Sequence, residues 1–554
     1  WVPYVKGAAG LRWVEPLQHV LLWIDNGLQV KALSELQNGA YSRTVRSEAL
    51  YFSPGVAFST TGADFGGRIH WFRSIFGSKG RSVFSDDPAA VLCLLNSTIG
   101  KSIVSSLNPT IDFAVCDVER LPFLQMPGAA DIAERIKSAY TVAATHEESS
   151  VEFKSPGPSP WRYAQDWAQR AVDRPDGAPL PPYEPEYDPP APEAYVSFAI
   201  GVALGRFGAD GEGILDLTPP EALPAGILFV SASDNLPDSL QHPAAARIRA
   251  AWDEHQAAIC DGKKQSLRDW LRKDFFTYHK GLYENRPIYF PLSSEKRSFV
   301  AWVSIHRWAD NTLQVLLADH LHPKLRQLDG EIADLNRTRA ASDKKTAAAA
   351  EKQYGTAKKL RDELAAFIDA VAECAERGAP PTDPACPKRA VDAPFHMDLD
   401  DGVVINSAAL WPLLAPQWND PKKWWKQLCL AEGKKDYDWS HLARRYFPAR
   451  VDEKCKTDPS LAVAHGCFWR YHPAKAYAWE LRLQDEIRPD FTLSEADSDA
   501  LRASFLADHA GTRPNLAKLY ARYRGDHVDV IAGTYRIGFD QRLTFDTSSD
   551  YTPD

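Results

Sequence analysis

Apolar and polar positions along the chain change period several times, and those changes divide it into segments. Near the start, short apolar runs lie between turn residues. Leu17–Asp25 is bounded by Pro16 and Asn26-Gly27, and Gly55–Ser59 and Ile69–Phe72 follow; each is expected as a strand. From Pro88 the spacing becomes helical through Ala89, Val91, Leu92, Leu95, Ile99, Ile103, Val104 and Leu107. This predicts one helix capped by Asp86 or Asp87, with Pro88 in its first turn and Asn108-Pro109 as its stop. Ile111–Val118 then reads as a strand. A second helix is expected from about Ala130, through Ile132, Ala133, Ile136 and Tyr140.

Eleven prolines fall between Ser155 and Pro192. They remove the amide donors that a helix or central strand needs, so the segment is expected as an extended or surface-wrapping connector. A mixed region follows, with a helical pattern over Trp270–Tyr283 and a strand over Arg286–Pro291. Leu313, Leu317, Leu321, Leu325, Leu328, Ile332 and Leu335 recur at threes and fours, and Leu360, Leu364, Phe367, Ile368 and Val371 resume the pattern after a polar stretch. Two long helices in a hairpin are predicted. The expected organisation is multidomain α+β: a mixed α/β domain over 1–150, a proline-rich linker over 151–192, a mixed α/β spacer over 193–310, a helical hairpin over 311–378 and a mixed C-terminal domain over 395–554.

Composition agrees with globular folding: 44% of the 554 residues are apolar and 25% charged. No run approaches the roughly 18 apolar residues of a membrane span, so no membrane association is expected. The chain opens on Trp1 without a signal peptide, and its two methionines, Met126 and Met397, are remote from the start. A cytoplasmic piece of a longer protein is the expectation.

The net charge of -9 conceals segregation. Six basic residues face two acidic ones between Ala40 and Arg81, four face fifteen between Asp173 and Asp261, and twelve face seven between Asp420 and Lys475. Two basic patches flanking an acidic middle allow an anionic partner at either end. The eight cysteines include no CxxC pair, which excludes zinc-ribbon and thioredoxin patterns, and buried or surface thiols are expected without a metal.

No complete catalytic constellation is present. The chain has no Walker loop and no Gly-x-Ser-x-Gly elbow. Asp210-Gly-Glu-Gly-Ile214 lacks the third glycine and the preceding strand of a cofactor loop. Asp188-Pro-Pro-Ala191 has alanine where the catalytic loop of amino methyltransferases has an aromatic ring, so no catalytic residue is assigned.

One ordered series of motifs carries more information. Leu94-Leu-Asn-Ser-Thr98, Leu107-Asn-Pro-Thr-Ile-Asp-Phe113 and Asp117-Val-Glu-Arg-Leu-Pro122 resemble the target recognition domain of BREX-type adenine-specific DNA methyltransferases of the PglX family, which are related to type IIG restriction-modification methylases. Arg286-Pro-Ile-Tyr-Phe290, Asp401-Gly-Val-Val-Ile-Asn-Ser407, Pro421-Lys-Lys-Trp-Trp425 and Asp436-Tyr-Asp-Trp-Ser-His441 continue the resemblance in order to about residue 470. Asp112 stands where the family commonly has Asn, and Cys116 where it has Gly.

The resemblance implies the DNA-recognition half of a site-specific N6-adenine methyltransferase in a phage-defence system. It also implies that S-adenosylmethionine and the catalytic Asn-Pro-Pro-aromatic loop belong to a catalytic half not present here, so the chain itself needs no cofactor. The expected partners are double-stranded DNA, the catalytic half and other defence-system proteins. Such domains grip phosphates with Arg and Lys and read base edges with polar side chains. The expected DNA-facing residues are Arg43, Arg46, Ser59, Thr60, Thr61, Arg68, Arg73, Lys79 and Arg81. Lys422, Lys423, Lys426, Arg444 and Arg445 are candidates for the DNA backbone, with the neighbouring aromatics in the core. Asn108 and Thr110 are expected to form a helix-ending turn. The alternative function is a non-enzymatic scaffold whose leucine-rich hairpin docks other proteins of a defence complex.

Overall fold

The computed structural model describes residues 1–475 except 8–9, 17–18, 28–29, 32–33, 35–39, 61–64, 111–112, 125, 208–221, 234–237, 341–342, 380–394, 398–401, 431–441 and 466, together with 535–537 and 543–545. The protein is α+β, and the chain gathers into two compact units. One comprises 1–138, 163–185 and 431–554; the other comprises 139–162 and 186–430.

In the first unit, strand β1 (Val2–Val5) pairs antiparallel with β3 (Val20–Leu21) and parallel with β6 (Ile75–Phe76). A four-stranded sheet runs in the order β2 (Trp13–Val14), β5 (Gly67–His70), β4 (Gly55–Phe58), β7 (Ser82–Val83). Among the described residues, the strand expected over 17–25 comprises Val20–Leu21, and the one expected over 69–72 begins two residues earlier.

Helix Pro88–Asn96 rests on this sheet, capped by the Asp87 carboxylate, which accepts from Ala90 N–H at 2.9 Å. The helix predicted to run on to Leu107 breaks at Ser97, whose ψ of 151° is extended. Ser97 Oγ donates to the Leu94 carbonyl and accepts from Gly100 N–H, starting helix Thr98–Leu107 at 71° to the first. A β-carbon on Gly100 would lie 2.1 Å from the Leu94 carbonyl oxygen, so the sharp bend requires glycine there. Among the described residues no single helix is long and apolar enough to cross a membrane.

Asn96, fully buried, bonds the sheet from the last turn of the first helix. Its Nδ2 donates to the carbonyls of Gly67 (2.9 Å) and Leu92 (3.0 Å), and its Oδ1 accepts from Gly67 N–H (3.2 Å).

Two expectations are corrected. Of the strand expected over Ile111–Val118, residues 115–118 are helical instead: helix Val115–Glu119 forms because Asp117 Oδ2 accepts from Ala114 N–H at 2.9 Å, giving a first-turn acceptor that outweighs the β-branched composition. The stretch marked by eleven prolines contains helix Trp161–Val172. None of those prolines lies between Pro160 and Pro175, and Ala164, Trp167, Ala168, Ala171 and Val172 recur at helical spacing and are buried.

In the second unit, β8 (Ile227–Ser231), β10 (Phe299–Ser304) and β9 (Tyr289–Ser293) form an antiparallel sheet buried on both faces, with β10 central. Pro291 falls on the edge strand β9, where its missing donor interrupts no inner ladder. Helix Leu267–Lys273 accepts a bond from Trp302 Nε1 at the Leu271 carbonyl, and His279 of helix Phe275–Leu282 accepts from the Ile288 and Tyr289 amides at its Nε2. The predicted hairpin is present as helices His322–Thr338 and Lys344–Arg377, whose antiparallel register is marked by the Asp329–Arg361 and Arg339–Glu351 ion pairs.

Replacing Asn96 by Ala strands the Gly67 backbone groups in a dry interface. The expected loss is about 2–4 kcal/mol, read as a lower urea midpoint.

Candidate nucleic-acid interface

Four exposed basic residues of the first basic run lie on segments that join the β1–β6 pairing and its core. Val45, Tyr51 and Ile75 form the local core, with Tyr4, Trp23 and Phe76 packed against it. Segment 41–52 is pinned to this core at Val45 and Tyr51, while Arg43 and Arg46 between and before those anchors are exposed. The Tyr51 hydroxyl bonds the Arg46 backbone, and Phe52 N–H donates to the Ser74 carbonyl at 2.7 Å, placing this segment beside Arg73. Lys79 occupies the turn after β6, closed by Gly80 N–H donating to the Gly77 carbonyl. A β-carbon on Gly80 would lie 2.1 Å from the Val5 carbonyl oxygen, so the turn sits directly on β1. Glu48, the acidic residue of this segment, is paired with Lys31 at 2.6 Å. Arg43, Arg46, Arg73 and Lys79 therefore present exposed positive charge around one small sheet.

The other candidates in the first basic run are placed differently. Arg68, fully buried on β5, is corrected from an exposed to an interior position. Its Nε donates to Glu15 Oε2 at 2.5 Å, and its Nη1 reaches Ser59 Oγ and the Leu11 carbonyl. Burial raises the Glu15 carboxyl above its usual range, opposed by the charge of Arg68. Ser59 and Thr60 are likewise buried, and the Thr60 carbonyl accepts from Phe113 N–H. Thr61 lies outside the described residues. Arg81 is half-buried and donates to the Phe113 carbonyl at 3.1 Å, clamping the Leu107–Phe113 motif.

That motif ends a helix, as its sequence suggests. Asn108 Oδ1 accepts from Thr110 N–H and Oγ1, and its Nδ2 donates to Asp117 at 2.8 Å. Hydrogen bonds from Asn108 and the Ala114 amide hold the Asp117 carboxyl below its usual range. Cys116 is exposed; Asp112 lies outside the described residues.

The second basic run divides between the units. Lys422, Lys423 and Lys426 are exposed on helix Asp420–Leu430, while its Trp425, Leu428 and Cys429 are buried, as expected for a basic rim over an aromatic core. Arg444 donates to the His465 carbonyl and Arg445 is exposed, both in the first unit. Trp439, Lys434 and Lys435 lie outside the described residues.

Asp188 of the Asp-Pro-Pro-Ala sequence is engaged by Arg162 through two bonds of 2.6 and 2.9 Å, and its backbone bridges Ser159. Its carboxylate is thus committed to a side-chain pair and does not fit the role of holding a target amine. Asp210–Ile214 lies outside the described residues.

No protein-family model matches the chain. Two curated proteins do. The adenine-specific methyltransferase PglX of Lacticaseibacillus casei (strain Zhang) is 23% identical over 493 residues, covering 74% of this chain and 38% of that protein. The adenine-specific methyltransferase BrxX of Escherichia coli O9:H4 (strain HS) is 21% identical over 505 residues, covering 75% of this chain and 40% of that protein. The chain is a relative of the PglX-type adenine-specific methyltransferases. It spans about two fifths of the length of these PglX-type relatives. Within it, Asn96, Ser97, Asn108 and Phe113 of the motifs that first suggested PglX make backbone and core contacts, so these residues act as scaffold.

Sequence reasoning missed Leu50, Phe52 and Trp71, which are large apolar side chains exposed close in sequence to the basic residues. Trp71 has the ammonium of Lys137 5.5 Å from its ring. Their exposure had no signal in periodicity, because each sits beside a residue that is buried.

Replacing Arg68 by Met leaves Glu15 without its buried partner and is expected to cost about 3–5 kcal/mol in denaturant unfolding, with Glu15→Leu in the same chain recovering most of it. A second outcome concerns pH. His70, between Ser74 and Ser82, has its pKa lowered to about 4 by burial and then by the charge of Arg68. The unfolded chain takes up this proton at about pH 6.5 and the folded chain only near 4. Stability from neutral His70 is therefore complete above pH 6.5 and falls by up to about 3 kcal/mol as pH drops to 4. In His70→Gln that part of the pH dependence should vanish from unfolding curves.

Proposed function

We propose that this chain is the DNA-recognition part of a site-specific N6-adenine DNA methyltransferase of a bacterial phage-defence system, acting in the cytoplasm. The observation that carries this reading is the exposed set Arg43, Arg46, Arg73 and Lys79 around the β1–β6 pairing, in a relative of adenine-specific methyltransferases. Four cations on one small scaffold suit a phosphate backbone, because each phosphate neutralised releases condensed counterions. Lys422, Lys423, Lys426 and Arg445 supply further exposed charge for backbone contact. Base flipping, S-adenosylmethionine binding and methyl transfer are assigned to a catalytic half outside this chain, which this half positions on its target. Other defence proteins would join through the same enzyme.

The test is fluorescence anisotropy of a labelled 40-base-pair duplex titrated with the chain at several salt concentrations. Binding should weaken linearly in log–log form. Replacing Arg43, Arg46, Arg73 and Lys79 together by Ala should reduce the slope by about 3–4, whereas Arg68→Met should leave it unchanged. No binding at low salt would instead support a scaffold role.

A further inference from the structure

Phe52 has a backbone that its side chain does not favour. Its φ is +65°, a left-handed conformation that glycine or asparagine adopts readily and a bulky aromatic rarely does. Core packing covers only part of the residue: Phe52 is 38% exposed, and its ring meets the Tyr51 ring edge-on at 6.5 Å. Leu50, two residues earlier, is 41% exposed. Ser47 is also left-handed, with φ of +52°, so the short turn Glu48–Leu50 is framed by two such residues. The neighbouring core is firmly held: Tyr51 is buried against Trp23 and Phe76, and the Phe52 amide is tied to the Ser74 carbonyl. Two apolar residues thus stay partly exposed beside a firmly held core. Exposed Arg43 and Arg46 precede them in the same segment, and Arg73 adjoins the residue that accepts the Phe52 amide.

We propose that Phe52 and Leu50 form an apolar wedge that enters between base steps of duplex DNA, while Arg43, Arg46 and Arg73 hold the flanking phosphates. The proposal rests on the DNA-recognition reading above. Charge complementarity selects the occupant: partly exposed apolar residues, with Arg43 and Arg46 before them in the segment and Arg73 next to the residue that accepts the Phe52 amide, match a stacked, hydrophobic interior bordered by phosphates. Proteins that insert such side chains partly unstack the step and kink the helix. A strained residue kept at an exposed position is expected where its side chain performs a task that the relaxed residue cannot.

The experiment uses the full chain and a 40-base-pair mixed-sequence duplex carrying a donor and an acceptor dye at its ends. Wild type should bind with a clear salt slope and raise energy transfer as the ends approach. Phe52→Gly and Phe52→Asn both suit the left-handed backbone, and relief of its strain offsets the packing that the partly covered ring gives up, so their thermal midpoints should stay close to wild type, showing an intact fold. Each should lose most of the energy-transfer change and bind about 5- to 10-fold more weakly with the salt slope unchanged; Leu50→Ser should act in the same direction. If wild type binds but does not bend the duplex, or if the Phe52 variants bind and bend it as wild type does, the wedge is overturned while DNA recognition stands. If wild type does not bind the duplex at all, the recognition reading falls and the wedge with it.

Discussion

The bonding of the Asn96 side chain to the backbone of Gly67 is the contact on which the first unit depends. It joins the last turn of helix Pro88–Asn96 to the middle of β5, using both the amide donor and the carbonyl acceptor. Because Asn96 is wholly buried, neither water nor a shifted register offers these groups equal partners. The chain then breaks at Ser97, and the consequences spread from there. The Asn96 carbonyl accepts from Gln169, and the exposed first turn of helix Thr98–Leu107 gives its Thr98 N–H and hydroxyl to Asp173, both at 2.7 Å. Residues about seventy positions apart are thereby fastened to one bend.

The same strand shows how charge is sorted. Arg68 is drawn inside because Glu15, beside β2, offers it a carboxylate, and the pairing of β2 with β5 brings the two together. Removing either charge from water costs more than the pairing returns unless both are present, which makes the ion pair a determinant of register more than a source of stability. His70, two residues on, remains neutral against the nearby guanidinium. The outward cations Arg43, Arg46, Arg73 and Lys79 face no such partner strand, so their charge stays in solvent, where a polyanion can use it.

The second unit buries polarity in another way. Glu148 and His279 are both buried, with the Tyr283 hydroxyl donating to Glu148. Burial, followed by the positive charge of Arg206, keeps His279 neutral, and its Nε2 accepts from the Ile288 and Tyr289 amides where β9 begins. That acceptor role assigns the ring proton to Nδ1. In the hairpin, Glu363 reaches from helix Lys344–Arg377 to accept from Ser294 Oγ and the Lys296 and Ser298 amides, tying the helix to the β9–β10 turn.

Features decided within a few residues were legible in the sequence: the Asp87 cap, the Asn108-Pro109 stop, the two long helices of the hairpin and the basic rim above Trp425. Each rests on backbone groups or side chains three or four positions apart, which local spacing encodes. The helix at Trp161–Val172 was local too, but eleven flanking prolines masked its spacing. The break at Ser97 was hidden for a different reason, since apolar periodicity continues through it while hydroxyl and glycine geometry bends the backbone. The burial of Arg68 and the exposure of Phe52 belong to the tertiary structure alone. The sequence shows an arginine among basic neighbours and a phenylalanine among aromatics, and only the meeting of strands distant along the chain decides which charge is enclosed and which ring is left partly exposed.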